Sequence, residues 1–138
     1  MNRYIIDNNC LISYVTDRNR KQQKDIAQYF ESAYHYDSEL IIIGNVITEF
    51  VYVLTNIYNI EDNQVKNMIA DLLKTPGIKH EMGYPSDRVL TLWPEKITNY
   101  GDAVVAAYGQ ESKLEILTFD ARFSKELTRV KIQNKIPR

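Results

Sequence analysis

The stretch MNRYIIDNNCLISYV (1–15) decides the fold class, because an apolar run ends in a carboxylate and a second apolar pattern begins just after it. RYIID (3–7) predicts a short buried strand that ends at Asp7. The spacing of apolar residues from Asn9 to Val15 then predicts a short helix. An acid at such a junction either caps the helix or belongs to a site at the end of the strand.

Length and composition indicate an ordinary globular protein. The 138 residues, with 44% hydrophobic and 25% charged, predict one compact domain spanning 1–138. The apolar runs are too short to span a bilayer, so we expect no membrane segment. Cys10 is the single cysteine, which excludes an internal disulfide and favours a reducing, cytoplasmic location.

The charge distribution excludes a globally basic nucleic-acid binder but leaves room for a local basic patch. The formal net charge is −1. The last segment, ARFSKELTRVKIQNKIPR (121–138), nevertheless contains many Lys and Arg residues and a single acid, Glu126. This segment is either a solvated end of the chain or part of a binding surface.

Predicted strands and helices alternate along the rest of the chain. Further strands are predicted at LIIIG (40–44), GIKHEM (77–82), LEILTF (114–119) and, less regularly, RVKI (129–132). Helices are predicted at 21–36, 45–59 with Asn45 as N-cap, 61–74, 85–93, 101–112 and 121–127. Short, continuously apolar strands separated by helices predict an α/β fold, a three-layer α/β/α sandwich with a mostly parallel central sheet of four to five strands. The strand order stays open.

Four acids stand at positions where such a fold collects ligands. Asp7 and Asp120 each follow an apolar strand, and Asp102 begins the apolar helix AVVAA. Glu49 lies in a helix that is apolar from Val46 to Leu54 except at Thr48 and Glu49 itself. A glutamate on the inner face of that helix would be costly without a cation or hydrogen bonds.

Together the four acids predict a divalent metal site. Carboxylate oxygens in this number suit Mg²⁺ or Mn²⁺ better than zinc, and the two histidines, His35 and His80, are too far apart in sequence to form a metal motif. Each Asp taken alone is also explained as a helix N-cap. The metal hypothesis therefore depends on the four side chains meeting in space.

The motifs around these acids resemble the PIN-domain family, in particular the VapC-type toxins of bacterial toxin–antitoxin pairs. YIIDNN carries Asp7 and Asn9, with Asn8 where the family commonly has Thr or Ser. VITEFVYVL, GDAVVAAYG and LTFDARF follow in the family's order and carry the other three acids. The resemblance implies a PIN-like fold and a metal-dependent endoribonuclease that uses Mg²⁺ or Mn²⁺.

The resemblance also implies roles for individual residues. Asp7 and Asp120 are expected to ligate the ion directly, and Asp102 to bind a second ion or to act through water. Glu49 is expected to be a ligand or to help activate water. Two neighbours are expected to orient the carboxylates, and four others to contact RNA. The orienting residues are Asn9 and Thr118, and the RNA-contacting candidates are Arg122, Lys125, Arg129 and Tyr100.

The resemblance implies two partners, an RNA substrate and a small antitoxin that inserts a basic side chain into the acidic crevice. A homodimer is a further expectation, based on apolar surface. The apolar surface for them is expected around residues 26–36 and 50–72. A PIN-like module that binds RNA or protein without cutting is the alternative. A phosphoacceptor receiver domain is disfavoured because IIDNN has a single acid, and a nucleotide binder because no Gly-rich loop is present.

Overall fold

The computed structural model describes residues Met1–Arg138 and contains one parallel sheet. Its strands are β1 (Asn2–Ile6), β2 (Ser38–Ile43), β3 (Ile78–Glu81), β4 (Glu115–Leu117) and β5 (Asn134–Lys135). They lie in the order β3-β2-β1-β4-β5, and every neighbouring pair is parallel. The predicted α/β class and parallel sheet are therefore confirmed.

Seven helices connect these strands. They are α1 (Asn8–Val15), α2 (Arg20–Tyr34), α3 (Gly44–Asn56), α4 (Asp62–Lys74), α5 (Ser86–Leu92), α6 (Tyr100–Ser112) and α7 (Ala121–Arg129). Parallel strands joined by right-handed crossovers in both directions across the sheet place helices on both of its faces. As predicted, a helical pair, α3 and α4, stands between β2 and β3. None of the helices combines the length and apolar character needed to cross a bilayer.

The core explains why the strands read as unbroken apolar runs. Ile5 and Ile6 of β1 and the run from Leu40 to Ile43 of β2 are all at most 1% exposed, so both faces of the sheet are covered. In α6 the small residues from Ala103 to Ala107 are also at most 2% exposed. Their size lets this helix pack closely on the sheet.

Two local predictions were wrong. RVKI (129–132) is not a strand, because α7 continues to Arg129 and the chain then turns through Lys131 at a φ of 63°. The last strand is Asn134–Lys135, which pairs with β4. Asn45 is not an N-cap either, since α3 begins at Gly44 and its cap position, Ile43, makes no side-chain hydrogen bond.

Candidate active site

The order of the strands brings Asp7 and Asp120 to the same edge of the sheet. In the parallel pairing of β1 with β4, Ile6 stands opposite Leu117, so both strands end side by side. The backbone N–H of Asp7 donates to the Leu117 carbonyl at 3.0 Å, which extends the pairing up to the acid. The carboxyl ends of parallel strands are where open α/β sheets bind ligands.

Beside this edge is an open crevice of about 570 Å³. It is lined by three of the four predicted acids, Glu49, Asp102 and Asp120, together with Arg122, Asn99, Thr48, Tyr52 and Val53. Asp7 is more deeply placed and is 4% exposed. Residues far apart in sequence thus form one strongly acidic surface that contains a single cation.

Asp7 is held by a compact set of hydrogen bonds. Its Oδ2 accepts from the Thr118 hydroxyl at 2.8 Å and from the Asn9 amide at 3.1 Å. Its Oδ1 accepts from the backbone N–H of Asn8 at 2.8 Å, so Asp7 also caps α1. The Asn9 amide carbonyl accepts from the Phe119 N–H at 2.9 Å. The two predicted orienting residues therefore lie directly against Asp7.

Helix capping accounts for part of this arrangement. Asp120 caps α7 by accepting from the Phe123 N–H at 3.1 Å. Asp102 caps nothing, because it lies inside the first turn of α6, whose cap is Asn99. The side-chain oxygen Oδ1 of Asn99 accepts from the Asp102 N–H at 3.0 Å. Capping therefore explains the placement of Asp7 and Asp120 but not that of Asp102 and Glu49.

Glu49 reaches the crevice because Gly101 lacks a side chain. A Cβ added to Gly101 would lie 2.0 Å from Oε1 of Glu49 and 3.2 Å from its Cδ. The carboxylate of α3 thus packs directly on the first turn of α6, where the unpaired N–H groups favour negative charge. No other side chain at position 101 would leave this room.

The electrostatics of the crevice work against ionisation of its acids. Burial raises the pKa of Asp7 to about 6; the charge of Asp120 adds to this, and hydrogen bonds from Thr118, Asn8 and Asn9 lower it. Burial likewise raises the pKa of Asp102 to about 7, with further increments from the nearby acids and a decrease from Arg122. Burial and the charge of Asp7 raise the pKa of Glu49. A bound cation would stabilise the ionised forms of these buried and mutually repelling carboxylates.

Two residues near the crevice were missed by sequence reasoning. Glu126 is 6% exposed, and its Oε2 accepts from the backbone N–H and the hydroxyl of Thr98 at 3.3 and 3.0 Å. The same hydroxyl accepts from Nη1 of Arg122 at 2.7 Å. Glu126 follows Arg122 by four positions on α7, a spacing that places both on one side of the helix and could have suggested a link.

The predicted RNA-contacting residues are not all near the acids. Arg122 lines the crevice, and its Nη2 lies 3.5 Å from Oδ2 of Asp102. Arg129 borders a separate depression with Lys96, and Lys125 makes no hydrogen bond or ion pair with a crevice residue. Tyr100, at the start of α6, is 43% exposed and its ring packs edge-on against Trp93 at 5.2 Å.

The residues fit a divalent cation in their chemistry. Carboxylates are hard oxygen donors of the kind that Mg²⁺ and Mn²⁺ prefer, and burial, with smaller contributions from neighbouring acids, raises the pKa of Asp7 to about 6 and that of Asp102 to about 7. In their present rotamers, however, no three His, Cys, Asp or Glu side chains converge closely enough to hold one ion. Binding would therefore require the carboxylates to be drawn together.

The fold and this crevice define a parallel α/β protein with an acidic site at the carboxyl edge of its sheet. The PIN domain model matches residues 4–126, and the chain belongs to the PIN-domain family. No curated protein matches the chain in sequence.

Solved structures with the same fold include VapC proteins. PAE2754 from Pyrobaculum aerophilum has 20% identity and a TM-score of 0.69, with 96% of this chain and 83% of that chain covered. VapC20 from Mycobacterium tuberculosis, a toxin that cleaves the sarcin-ricin loop, has 14% identity and a TM-score of 0.66, covering 88% and 93%. VapBC-1 from nontypeable Haemophilus influenzae has 14% identity and a TM-score of 0.65, covering 97% of each chain. The resemblance to VapC-type PIN proteins is thereby confirmed for the fold.

Proposed function

We propose that this protein is a metal-dependent endoribonuclease, the toxin of a toxin–antitoxin pair. The observation that carries the proposal is the meeting of Asp7, Glu49, Asp102 and Asp120 around one crevice, although they come from four separate segments. Membership of the PIN-domain family and the structural likeness to VapC toxins, one of which cleaves the sarcin-ricin loop, support it.

The four carboxylates would hold one or two Mg²⁺ or Mn²⁺ ions. When bound, such an ion supplies a water of lowered pKa and stabilises the negative charge that grows on a phosphodiester during hydrolysis. Asp7 and Asp120 are proposed as direct ligands, Asp102 as a ligand of a second ion or of a water. Glu49 completes the set as a ligand or as the acceptor of a proton from the attacking water.

The neighbouring residues hold these acids and receive the substrate. Asn9 and Thr118 fix the orientation of Asp7 through the hydrogen bonds described above. Arg122 neutralises part of the acidic charge and binds an RNA phosphate oxygen. Tyr100 stands two residues before Asp102 and is exposed enough to stack on an unpaired base.

Purified protein incubated with labelled RNA tests this function directly. We expect cleavage with Mg²⁺ or Mn²⁺, none with EDTA, and a loss of about 100-fold or more in Asp7→Asn, as for a group that acts on the reacting charge. Asp37→Asn is the matched control, because Asp37 is exposed and makes no side-chain hydrogen bond. Equal cleavage by wild type and Asp7→Asn would contradict the proposal.

A PIN-like module that binds RNA or protein without cutting it is the second candidate. It is favoured by one observation, that no three of the acids converge on a common point in their present rotamers. The same assay separates the two functions. Metal-independent binding of RNA, with no cleavage in either metal, would support the binding module instead.

A free ribonuclease would damage the RNA of its own cell, so we propose as its inhibitor a small antitoxin with a basic side chain that enters the acidic crevice. Structures with this fold include the VapBC2 and FitAB complexes, both bound to DNA. Within the segments expected to offer apolar surface, several large side chains are exposed, whereas Ile26, Phe30, Phe50, Leu54 and Val65 belong to the core. The exposed ones are Tyr34, Tyr36, Tyr52, Ile57 and Tyr58.

The antitoxin and a homodimer are tested by expression. Co-expression with the small protein encoded beside this chain should yield a stable complex that lacks ribonuclease activity, and the free chain should be toxic and sediment as a dimer. A harmless, monomeric free chain would contradict both expectations.

A further inference from the structure

A chain of hydrogen bonds joins a buried carboxylate to the cation of the crevice. The Thr98 hydroxyl carries one hydrogen, which it donates to Oε2 of Glu126 at 3.0 Å. Its oxygen then accepts from Nη1 of Arg122 at 2.7 Å. A hydroxyl that donates to a charged acceptor becomes a better acceptor itself, so the contact with the guanidinium is strengthened.

Glu126 makes one further hydrogen bond in this part of the fold, in which its Oε2 accepts from the backbone N–H of Thr98 at 3.3 Å. It is 6% exposed, forms no ion pair, and its Oε1 has no hydrogen-bond partner. A buried carboxylate that is only half satisfied is costly, and an apolar residue on this face of α7 would pack as well. Both hydrogen bonds of Glu126 therefore go to Thr98, whose hydroxyl also binds Arg122.

Arg122 is thereby held at the edge of the crevice, and most of its N–H donors stay free. Its side chain is 57% exposed, and its two contacts, with Thr98 and Asp102, use a minority of the five N–H donors of a guanidinium. The remaining donors are available to an anionic ligand. Bidentate binding of phosphate oxygens is the recognition to which a fixed guanidinium is best suited.

We propose that Thr98 and Glu126 are positioning residues that hold Arg122 in place to bind a phosphodiester of the RNA beside the acidic crevice. The inference rests on the proposed ribonuclease function. The Thr98 hydroxyl and the buried Glu126 order the Arg122 guanidinium. This cation then offsets the repulsion between the RNA phosphate and the acids of the crevice.

The test uses variants of the full-length chain. Thr98→Val removes the hydroxyl and keeps the shape, and we expect kcat/KM for RNA cleavage to fall about tenfold or more, as for the loss of a hydrogen bond to a charged group. Thr98→Ser restores the hydroxyl and should restore the rate. Thr98→Val combined with Arg122→Ala should be no slower than Arg122→Ala alone, because both changes remove the same contact. Thr91→Val, at an exposed helical threonine that bonds only to the Arg88 carbonyl, is the matched control.

A second readout separates this inference from the ribonuclease proposal. In metal-free protein without RNA, the ¹⁵N relaxation of Nε of Arg122, assigned by its absence in Arg122→Ala, reports the order of the guanidinium. It should be ordered in wild type and Thr98→Ser and mobile in Thr98→Val. Glu126→Gln, which keeps an acceptor for Thr98 but removes the charge, should also increase mobility.

The outcomes are distinct. If wild type cleaves RNA but Arg122 is equally ordered in Thr98→Val, or the rate losses add in the double variant, the positioning role is overturned. If Arg122 loses order in Thr98→Val but the wild type never cleaves RNA, the ribonuclease proposal fails while the hydrogen-bonded positioning of Arg122 stands. Unchanged order in Glu126→Gln would remove Glu126 from the assignment.

Discussion

Asp7 meets two demands with one side chain. One oxygen caps α1, and the other accepts hydrogen bonds from Thr118 and Asn9. Despite these favourable contacts, burial raises its pKa to about 6. The ionised form is therefore less stable in the folded protein than in the unfolded chain, which is the state of a carboxylate that lacks a counterion.

This pKa predicts how stability depends on pH in metal-free buffer. Because the folded protein holds the Asp7 proton up to about pH 6 whereas an unfolded Asp releases it near 3.8, the free energy of unfolding should fall across that range by roughly 3 kcal/mol from this group. Asp7→Asn has no such titration. In urea denaturation, its free energy of unfolding should therefore rise relative to that of wild type between pH 4 and pH 6. A difference between the two proteins that does not change with pH would contradict the account.

The close packing of Glu49 on Gly101 predicts how a substitution at position 101 affects metal binding. Gly101→Ala should push the Glu49 carboxylate aside, because the new Cβ would otherwise lie 2.0 Å from Oε1. Glu49 is a flexible side chain and Ala favours the helix, so thermal stability should be unchanged or slightly raised. Mn²⁺ affinity, measured by titration calorimetry, should fall about tenfold, corresponding to the loss of roughly 1.4 kcal/mol of binding free energy.

The control for this change is Gly83→Ala, where an added Cβ would meet nothing within 4 Å. It should leave Mn²⁺ affinity as in wild type. Should Gly101→Ala also bind Mn²⁺ normally, Glu49 would have no part in holding the ion.

At the scale of elements, Asn9 ties the start of α1 to the segment that joins β4 and α7. Its amide group donates to Asp7 and to Thr118, and its carbonyl accepts from the Phe119 N–H. Asn9→Ala should lower the free energy of unfolding by about 2 kcal/mol, since three hydrogen bonds are lost and the Phe119 N–H is left unpaired. Urea denaturation measures this. Asn63→Ala, at an exposed position of α4 with no side-chain hydrogen bond, should lower the free energy of unfolding by only a few tenths of about 2 kcal/mol. An equal loss in both variants would contradict this role of Asn9.

The elements that sequence predicted well are those in which local pattern and burial agree. The run from Leu40 to Ile43 is fully buried in β2, and its β-branched residues favour a strand in isolation as well. RVKI (129–132) has the same local preference, but α7 continues through Arg129, and the following turn at Lys131 is fixed by packing. Tertiary context overrides propensity there, and sequence alone cannot reveal it.

The positions of the three Asp residues in the fold were predictable from the sequence, whereas the hydrogen bonds around the candidate site were not. Each Asp stood at a strand end or helix start, a position that sequence does reveal. Thr98 lies in a loop and Glu126 in a helix, and the hydrogen bond between them spans 28 residues. No local pattern reports such a pairing, because it depends on how α7 packs against the segment before α6.

At the scale of the whole molecule, the strand order makes the site. Asp7 and Asp120 are 113 positions apart in the chain, yet β1 and β4 are neighbours in the sheet. The sequence left this order open, because the residues of a short parallel strand do not indicate which strands pair with it. Glu49 of α3, which packs against Gly101 of α6, also lines this crevice.

The claim on which the account depends is that Asp7, Glu49, Asp102 and Asp120 together hold the divalent ion or ions of the crevice. A crystal of the protein soaked in Mn²⁺ and measured at the manganese absorption edge tests it. The account predicts an anomalous peak in the crevice, with carboxylate oxygens from these residues at about 2 Å from the ion or one water away. No peak there, with the four side chains still apart and Arg122 still on Asp102, would contradict it.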